Sequence, residues 1–253
     1  MKNLRNTLLP LFGFAIVIAI WEIVGTRLGN SLFAPASSVL AQYIDMLGEG
    51  TMLSELFTSL RQMLLGFVIA CIVGMPMGIA MGRSKITDTM LRPWVSIFVV
   101  TSTAALVPIL IMILGTGLTL RSTVVFLAAV WYIVLTTYNG AKGISPELLA
   151  VGLSFSANRN QIFWKIILPA LYPYLITGAR IGLIHAIRAM VMAEMFVIVG
   201  YGALINQAGM EINTSSLLAL LLTLTFVSLI ANAILSQWGK YLAPWYEQQR
   251  QTP

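Results

Sequence analysis

Six stretches of this chain are long and apolar enough to cross a bilayer: about 8–28, 60–82, 92–114, 121–141, 174–199 and 216–238. A helix of roughly twenty apolar residues spans a hydrocarbon core of about 30 Å. Inside lipid every backbone amide must find its partner within the protein, which leaves helices as the way to use such stretches. The remaining sequence does not offer a soluble alternative. Only 9% of residues are charged while 58% are hydrophobic, against about 25% charged in an ordinary soluble domain. The expectation is an all-α membrane protein with about six transmembrane helices, forming a single membrane domain over residues 1–253.

Basic residues orient it. With the N-terminus inside, Lys2, Arg5, Arg83, Lys85, Arg92, Lys142, Arg159, Lys165, Lys240 and Arg250 fall on the cytoplasmic side, and Arg27, Arg61 and Arg121 on the outer side. The positive-inside rule then makes both termini cytoplasmic. The net charge of +6 is explained by these loops, so no nucleic-acid partner is implied. Lys2 and Arg5 ahead of Leu8–Ile20 imitate a signal peptide, but the loose Ala34-Pro35-Ala36 cleavage pattern lies too far downstream, so an uncleaved first span is expected. Cys71 is the one cysteine, so no intrachain disulfide can form; it reads as a small apolar residue.

Between the first two spans, Ala36–Leu47 and Thr51–Arg61 read as short helices at the outer surface. The other sizeable outer piece, 201–215, reads as a solvated connection, and either piece can meet an outside partner. In the second span Gly66, Ala70, Gly74, Gly78 and Gly82 recur every fourth residue. This places small residues along one face, where a neighbouring helix can come close. Pro76 removes one backbone hydrogen bond there and is expected to kink the helix.

Residues 142–173 stand apart, too polar to span and too patterned to be slack. Ser145-Pro146-Glu147 is a strong helix start: a capping hydroxyl, a proline at the first helical position and an acid near the positive dipole end. Leu148, Val151 and Phe155 follow helical spacing. Asn158-Arg159-Asn160 interrupts it, and a second short helix offers Ile162, Phe163, Ile166 and Ile167 on one face. Pro169 and Pro173 are expected to close that helix. On pattern alone, such a helix–turn–helix either folds against its own bundle or plugs into another chain.

"PELLAVGLSFSANRNQIFWKIILPA" (Pro146–Ala170) resembles the EAA loop of ABC-importer permeases, the membrane subunits of binding-protein-dependent uptake systems. That loop reads Glu-Ala-Ala, three residues, Gly, nine residues, Ile-x-Leu-Pro. Ile166, Leu168 and Pro169 match. Glu147, Ala157, Arg159, Gln161 and Phe163 fit the branch serving nitrate, sulfonate and taurine. Ala150-Val151-Gly152 stands where the family has Glu-Ala-Ala, and Ser156 where it has Gly. "GMPMGIAMGRS" (Gly74–Ser84), "LVPILIMILGTG" (Leu106–Gly117) and "TGARIGLIHAIRAMVMAEM" (Thr177–Met195) resemble further family stretches in the same order.

The resemblance implies a type I ABC importer permease fold in a bacterial inner membrane. Implied partners are two cytoplasmic ATPase subunits, a second permease copy in a homodimer, and an extracytoplasmic solute-binding protein. It also makes 142–173 the coupling loop, with Glu147, Ala150, Val151, Gly152, Phe155, Ser156, Arg159, Leu168 and Pro169 at the ATPase contact. The chain has no G-x-x-x-x-G-K-[ST] phosphate loop, no nucleophile–base constellation and no metal-ligand spacing. It is therefore expected to be non-catalytic, without a cofactor, and to draw energy from another chain.

Span five carries Arg180, His185, Arg188 and Glu194. A charge inside a bilayer is costly unless it is paired or lines water, so each is a candidate for the translocation path. At about 100° per residue the four fit on roughly half of the helix. Each also has a plainer reading. Arg180 can snorkel at the inner end, His185 can sit neutral and hydrogen-bonded, and Glu194 can pair with an arginine. Arg188 is the deepest, and its uncompensated charge points to a small anionic solute. The alternative is a self-sufficient channel or secondary carrier, which would leave the element at 146–169 without a purpose.

Overall fold

A computed structural model describes residues 2–29 and 32–242, with side chains from Phe12 to Tyr241. Among the expected inner charges, Lys2, Arg5 and Arg250 lie outside the described side chains. The described residues form helices joined by short turns, with no strand. Eleven helices follow one another: α1 (Lys2–Leu28), α2 (Ala36–Glu49), α3 (Thr51–Arg83), α4 (Lys85–Val100), α5 (Thr103–Leu114), α6 (Leu118–Lys142), α7 (Pro146–Ser154), α8 (Arg159–Ile162), α9 (Leu168–Val197), α10 (Gly200–Met210) and α11 (Thr214–Leu242). A π-helical turn, Phe163–Ile167, joins α8 to α9. Among the described residues, four helical runs are long and apolar enough to span a membrane, and a fifth span is obtained if α4 and α5 count as one. The window at 8–28 coincides with α1.

Two compact units make up the chain, one from residues 1–59 and 197–227, the other from 60–196 and 228–253. In the second unit α6 is central, with Val130, Ile133, Val134 and Ala141 fully or almost fully buried. The small-residue face of α3 is what lets α6 approach. A Cβ on Gly78 would stand 2.6 Å from the Val134 carbonyl oxygen, and one on Gly82 2.4 Å from the Ala141 Cβ. On another face of α6, Gly182 of α9 meets Ile133 in the same way, at 2.7 Å from its Cγ1. Helix α3 remains a single helix through Pro76.

The first unit holds the elements that precede α3 in the chain. Glu22, an acid within the first apolar stretch, has a structural task. Its carboxylate accepts from the Ser37 amide at 3.0 Å and the Ser37 hydroxyl at 2.7 Å, fastening the start of α2. The Trp21 indole donates to the Ala34 carbonyl at 3.0 Å.

Four expectations are corrected. The stretch Thr51–Arg61 is not a separate surface helix; it is the first third of α3, because Gly50, at φ +73°, ends α2 and no breaker follows. The stretch 201–215 is not a solvated connection. It contains α10, in which Tyr201 is completely buried and donates its hydroxyl to the Leu220 carbonyl at 2.8 Å. The window at 92–114 is not one straight span. It bends by 100° between α4 and α5, where Thr101 and Ser102 are extended and the Thr101 hydroxyl bonds the Ile97 carbonyl; short hydroxyl side chains compete with the helix for backbone partners. Finally, Pro169 and Pro173 do not close a short helix, for the helical run continues from Arg159 to Val197.

Candidate functional site

The hairpin at 146–169 is built as its residues dictate. The Ser145 hydroxyl caps α7 by accepting from the Leu148 amide, Pro146 occupies the first helical position, and Glu147 lies in the first turn. Asn158 starts α8 with a reciprocal capping box: its side chain accepts from the Gln161 amide at 2.8 Å and the Gln161 side chain accepts from the Asn158 amide at 2.9 Å. Between these two caps α7 must stop. It does so through a Schellman ending, in which the Ser156 amide reaches the Leu153 carbonyl at 2.8 Å and the Ala157 amide reaches the Gly152 carbonyl at 3.1 Å. That ending needs a left-handed residue, and Ser156 supplies it at φ +54°. A glycine has no steric penalty in that conformation, which is a physical reason for the glycine of the EAA pattern at this position.

Gly152 joins the two arms. It is buried, and a Cβ there would stand 2.5 Å from the tip of Ile166 on the π turn. The π turn itself fits the proline that follows. The Leu168 amide bonds back to the Phe163 carbonyl, a wider turn than an α-helix makes, and Pro169 then lacks only the donor that its ring removes. Leu168 and Pro169 are half-buried where the hairpin becomes α9.

Of the clefts that flank the hairpin, two divide its exposed residues. One, of about 380 Å³, is lined by Val151, Gly152, Phe155, Ala157, Gln161, Lys165 and Ile166. The other, of about 790 Å³, lies against α3 and includes Leu153, Arg159, Phe163 and Arg83. Phe155 and Arg159 therefore line different clefts. Glu147, Ala150, Val151, Phe155, Ser156 and Arg159 are all exposed, and Phe155 leaves 83% of its surface uncovered.

On α9 the four charged or titratable residues meet different surroundings. The Arg180 guanidinium donates through Nε to the Asn232 side chain of α11 at 2.8 Å. His185 stacks on Tyr132 of α6, with ring centroids 3.7 Å apart and planes 10° from parallel. Glu194 is buried, with only 1% of its surface exposed. Arg188 alone among them is exposed, and it makes no hydrogen bond or ion pair among the described residues.

Residues 70–248 match the family described as the binding-protein-dependent transport system inner membrane component. The chain belongs to this family. Its relatives include the taurine transport system permease protein TauC of Escherichia coli (strain K12), 27% identical over 250 residues, covering 96% of this chain and 91% of that protein. The nitrate import permease protein NrtB of Synechocystis sp. is 29% identical and covers 87% and 82%. The bicarbonate transport system permease protein CmpB of Synechococcus elongatus is 27% identical and covers 94% and 91%. Among solved structures, an inward-facing conformation of the MetNI methionine ABC transporter has a TM-score of 0.64 at 20% identity, covering 74% of this chain and 93% of that one. The shared fold is that of a type I ABC importer permease. This chain is thus the multi-pass membrane component of such a transport system.

In this permease the hairpin leads directly into the charged span, since α8, the π turn and α9 form one helical run. Sequence reasoning missed the polar knot at the start of α4. Arg92 hydrogen-bonds both Asp88 oxygens and donates to the Tyr138 hydroxyl at 2.6 Å; Lys142 donates to the same oxygen at 3.0 Å. The signal was present as two i,i+4 pairs, Asp88/Arg92 and Tyr138/Lys142. The partners of Arg180 and His185 had no such signal, because Asn232 and Tyr132 come from distant helices.

Proposed function

We propose that this permease imports a small anion across a bacterial inner membrane. It acts as a homodimer with two cytoplasmic ATPase chains, which hydrolyse the ATP, and with an extracytoplasmic solute-binding protein; both termini lie in the cytoplasm. The observation that carries this reading is the unbroken helical run from Arg159 to Val197. A push on the hairpin is passed along one stiff element to the residues that line the path.

Each group has its part. Glu147, Ala150, Val151 and Phe155 offer the ATPase an exposed face. Gly152, Ser156, Leu168 and Pro169 give that face its shape, and Arg159 flanks it from the second arm. Arg188, exposed and without a counter-charge, attracts the anion. His185, held flat on Tyr132, forms the adjoining wall, while Arg180 and Glu194 stand further along the same helix. The relatives named for taurine, nitrate and bicarbonate support an anion of that size.

Gentle extraction of the tagged chain tests the reading. The expected result is an equal amount of a partner carrying a phosphate-loop motif, whose ATP hydrolysis rises when the anion-loaded binding protein is added. If liposomes holding this chain alone move solute without ATP, a carrier replaces the importer.

A further inference from the structure

The larger cleft beside the hairpin shares only Arg159 with the scheme above. Its walls come from four elements: Ile79 and Ala80 of α3, Leu149 and Leu153 of α7, Ile162 of α8, and Phe163 and Ile167 of the π turn. Its polar lining is two guanidiniums, Arg83 and Arg159, and it contains no carboxylate. Both arginines are exposed, and neither makes a hydrogen bond or ion pair among the described residues. Two cations left without an anion above an apolar floor call for an amphiphile of negative charge.

The surface leading to the cleft names its kind. On α3, Ile69, Ile72, Val73, Pro76, Ala80 and Arg83 repeat at three- and four-residue spacing, and all are exposed. They form one continuous stripe that is apolar until it ends in the guanidinium. From Ile69 to Arg83 that stripe rises about 21 Å at 1.5 Å per residue. One leaflet, headgroup included, is about 20–22 Å thick. The cleft volume of about 790 Å³ also falls within the roughly 300–1,000 Å³ of small-molecule sites.

We propose that an anionic phospholipid occupies this cleft, its phosphate between Arg83 and Arg159 and an acyl chain along the α3 stripe. The inference rests on the orientation given above, which places Arg83 at a membrane surface; it does not depend on the ATPase. A lipid in this position would brace the second arm of the hairpin against α3.

The test uses the intact complex in bilayers containing phosphatidylglycerol with a photoreactive acyl chain, compared with phosphatidylcholine bearing the same chain. Labelling of Ile69–Ala80 and of Leu149–Leu153 by the anionic lipid is expected to exceed that by the zwitterionic one. Arg83→Gln should lower the anionic labelling about fivefold, the effect of one cation near a headgroup, and Arg83→Lys should restore most of it. Equal labelling by the two lipids overturns the proposal, and that comparison needs no variant. So does labelling indifferent to Arg83→Gln, or Ala80→Cys forming a disulfide with a second copy of the chain. Loss of the ATPase partner with lipid labelling retained would count against the importer reading alone.

Discussion

Ser156 shows what one residue can reveal. From the sequence it was a departure from the EAA pattern; in the structure it is the left-handed residue that ends α7. Replacing Ser156 with Gly removes the steric cost and should stabilise the hairpin by about 1 kcal/mol, read as a later thermal unfolding midpoint. Ser156→Val should move it the other way, because a branched side chain fits that conformation least well. Arg188 makes the opposite case. Its charge was legible, but its exposure was not, since only the folded neighbours show that Arg180 and His185 have partners and that Arg188 makes no hydrogen bond or ion pair among the described residues. Arg188→Leu is expected to abolish anion uptake while the complex still assembles. Uptake at the normal rate by that variant would remove Arg188 from the path.

Among the elements, those defined by local chemistry were readable and those defined by packing were not. The cap at Ser145 and the small-residue face of α3 both follow from spacing along one helix. The bend at Thr101–Ser102 does not, because an apolar window hides a break of two residues. Nor does α10, whose anchor, Tyr201, is buried by distant contacts: its amide donates to Ser59 at 3.0 Å and its hydroxyl to Leu220. The α3–α6 contact gives the sharpest forecast. At Gly78 a new Cβ would strike backbone, at 2.6 Å from the Val134 oxygen, whereas at Gly209 it would meet nothing within 4 Å. Gly78→Ala should therefore cost about 1–3 kcal/mol through forced separation of the helices. Gly209→Ala, in helix α10, should be neutral or gain up to about 1 kcal/mol. Thermal unfolding of the two variants side by side decides the matter; equal midpoints would mean that α3 and α6 are not in close contact.

At the scale of the whole molecule, the proposed import requires the hairpin to pass a partner's energy to the membrane spans. The hairpin presents apolar surface where an isolated subunit gains nothing by it, and Phe155 is its most exposed large side chain. Exposed aromatics of this kind act as anchors once a partner covers them. Phe155→Ala should weaken association with the ATPase by about 1.5–3 kcal/mol, the value of burying such a side chain, and lower solute-stimulated ATP hydrolysis in proportion. Phe226 of α11 is the control. It is 60% exposed on a helix apolar enough to face lipid, and its removal should leave both readings unchanged. Titrating the ATPase chain against each variant in detergent separates the two expectations. If Phe155→Ala binds as the parent does, the hairpin does not dock through this face, and the helical run from Arg159 to Val197 is a packing feature with no stroke to carry.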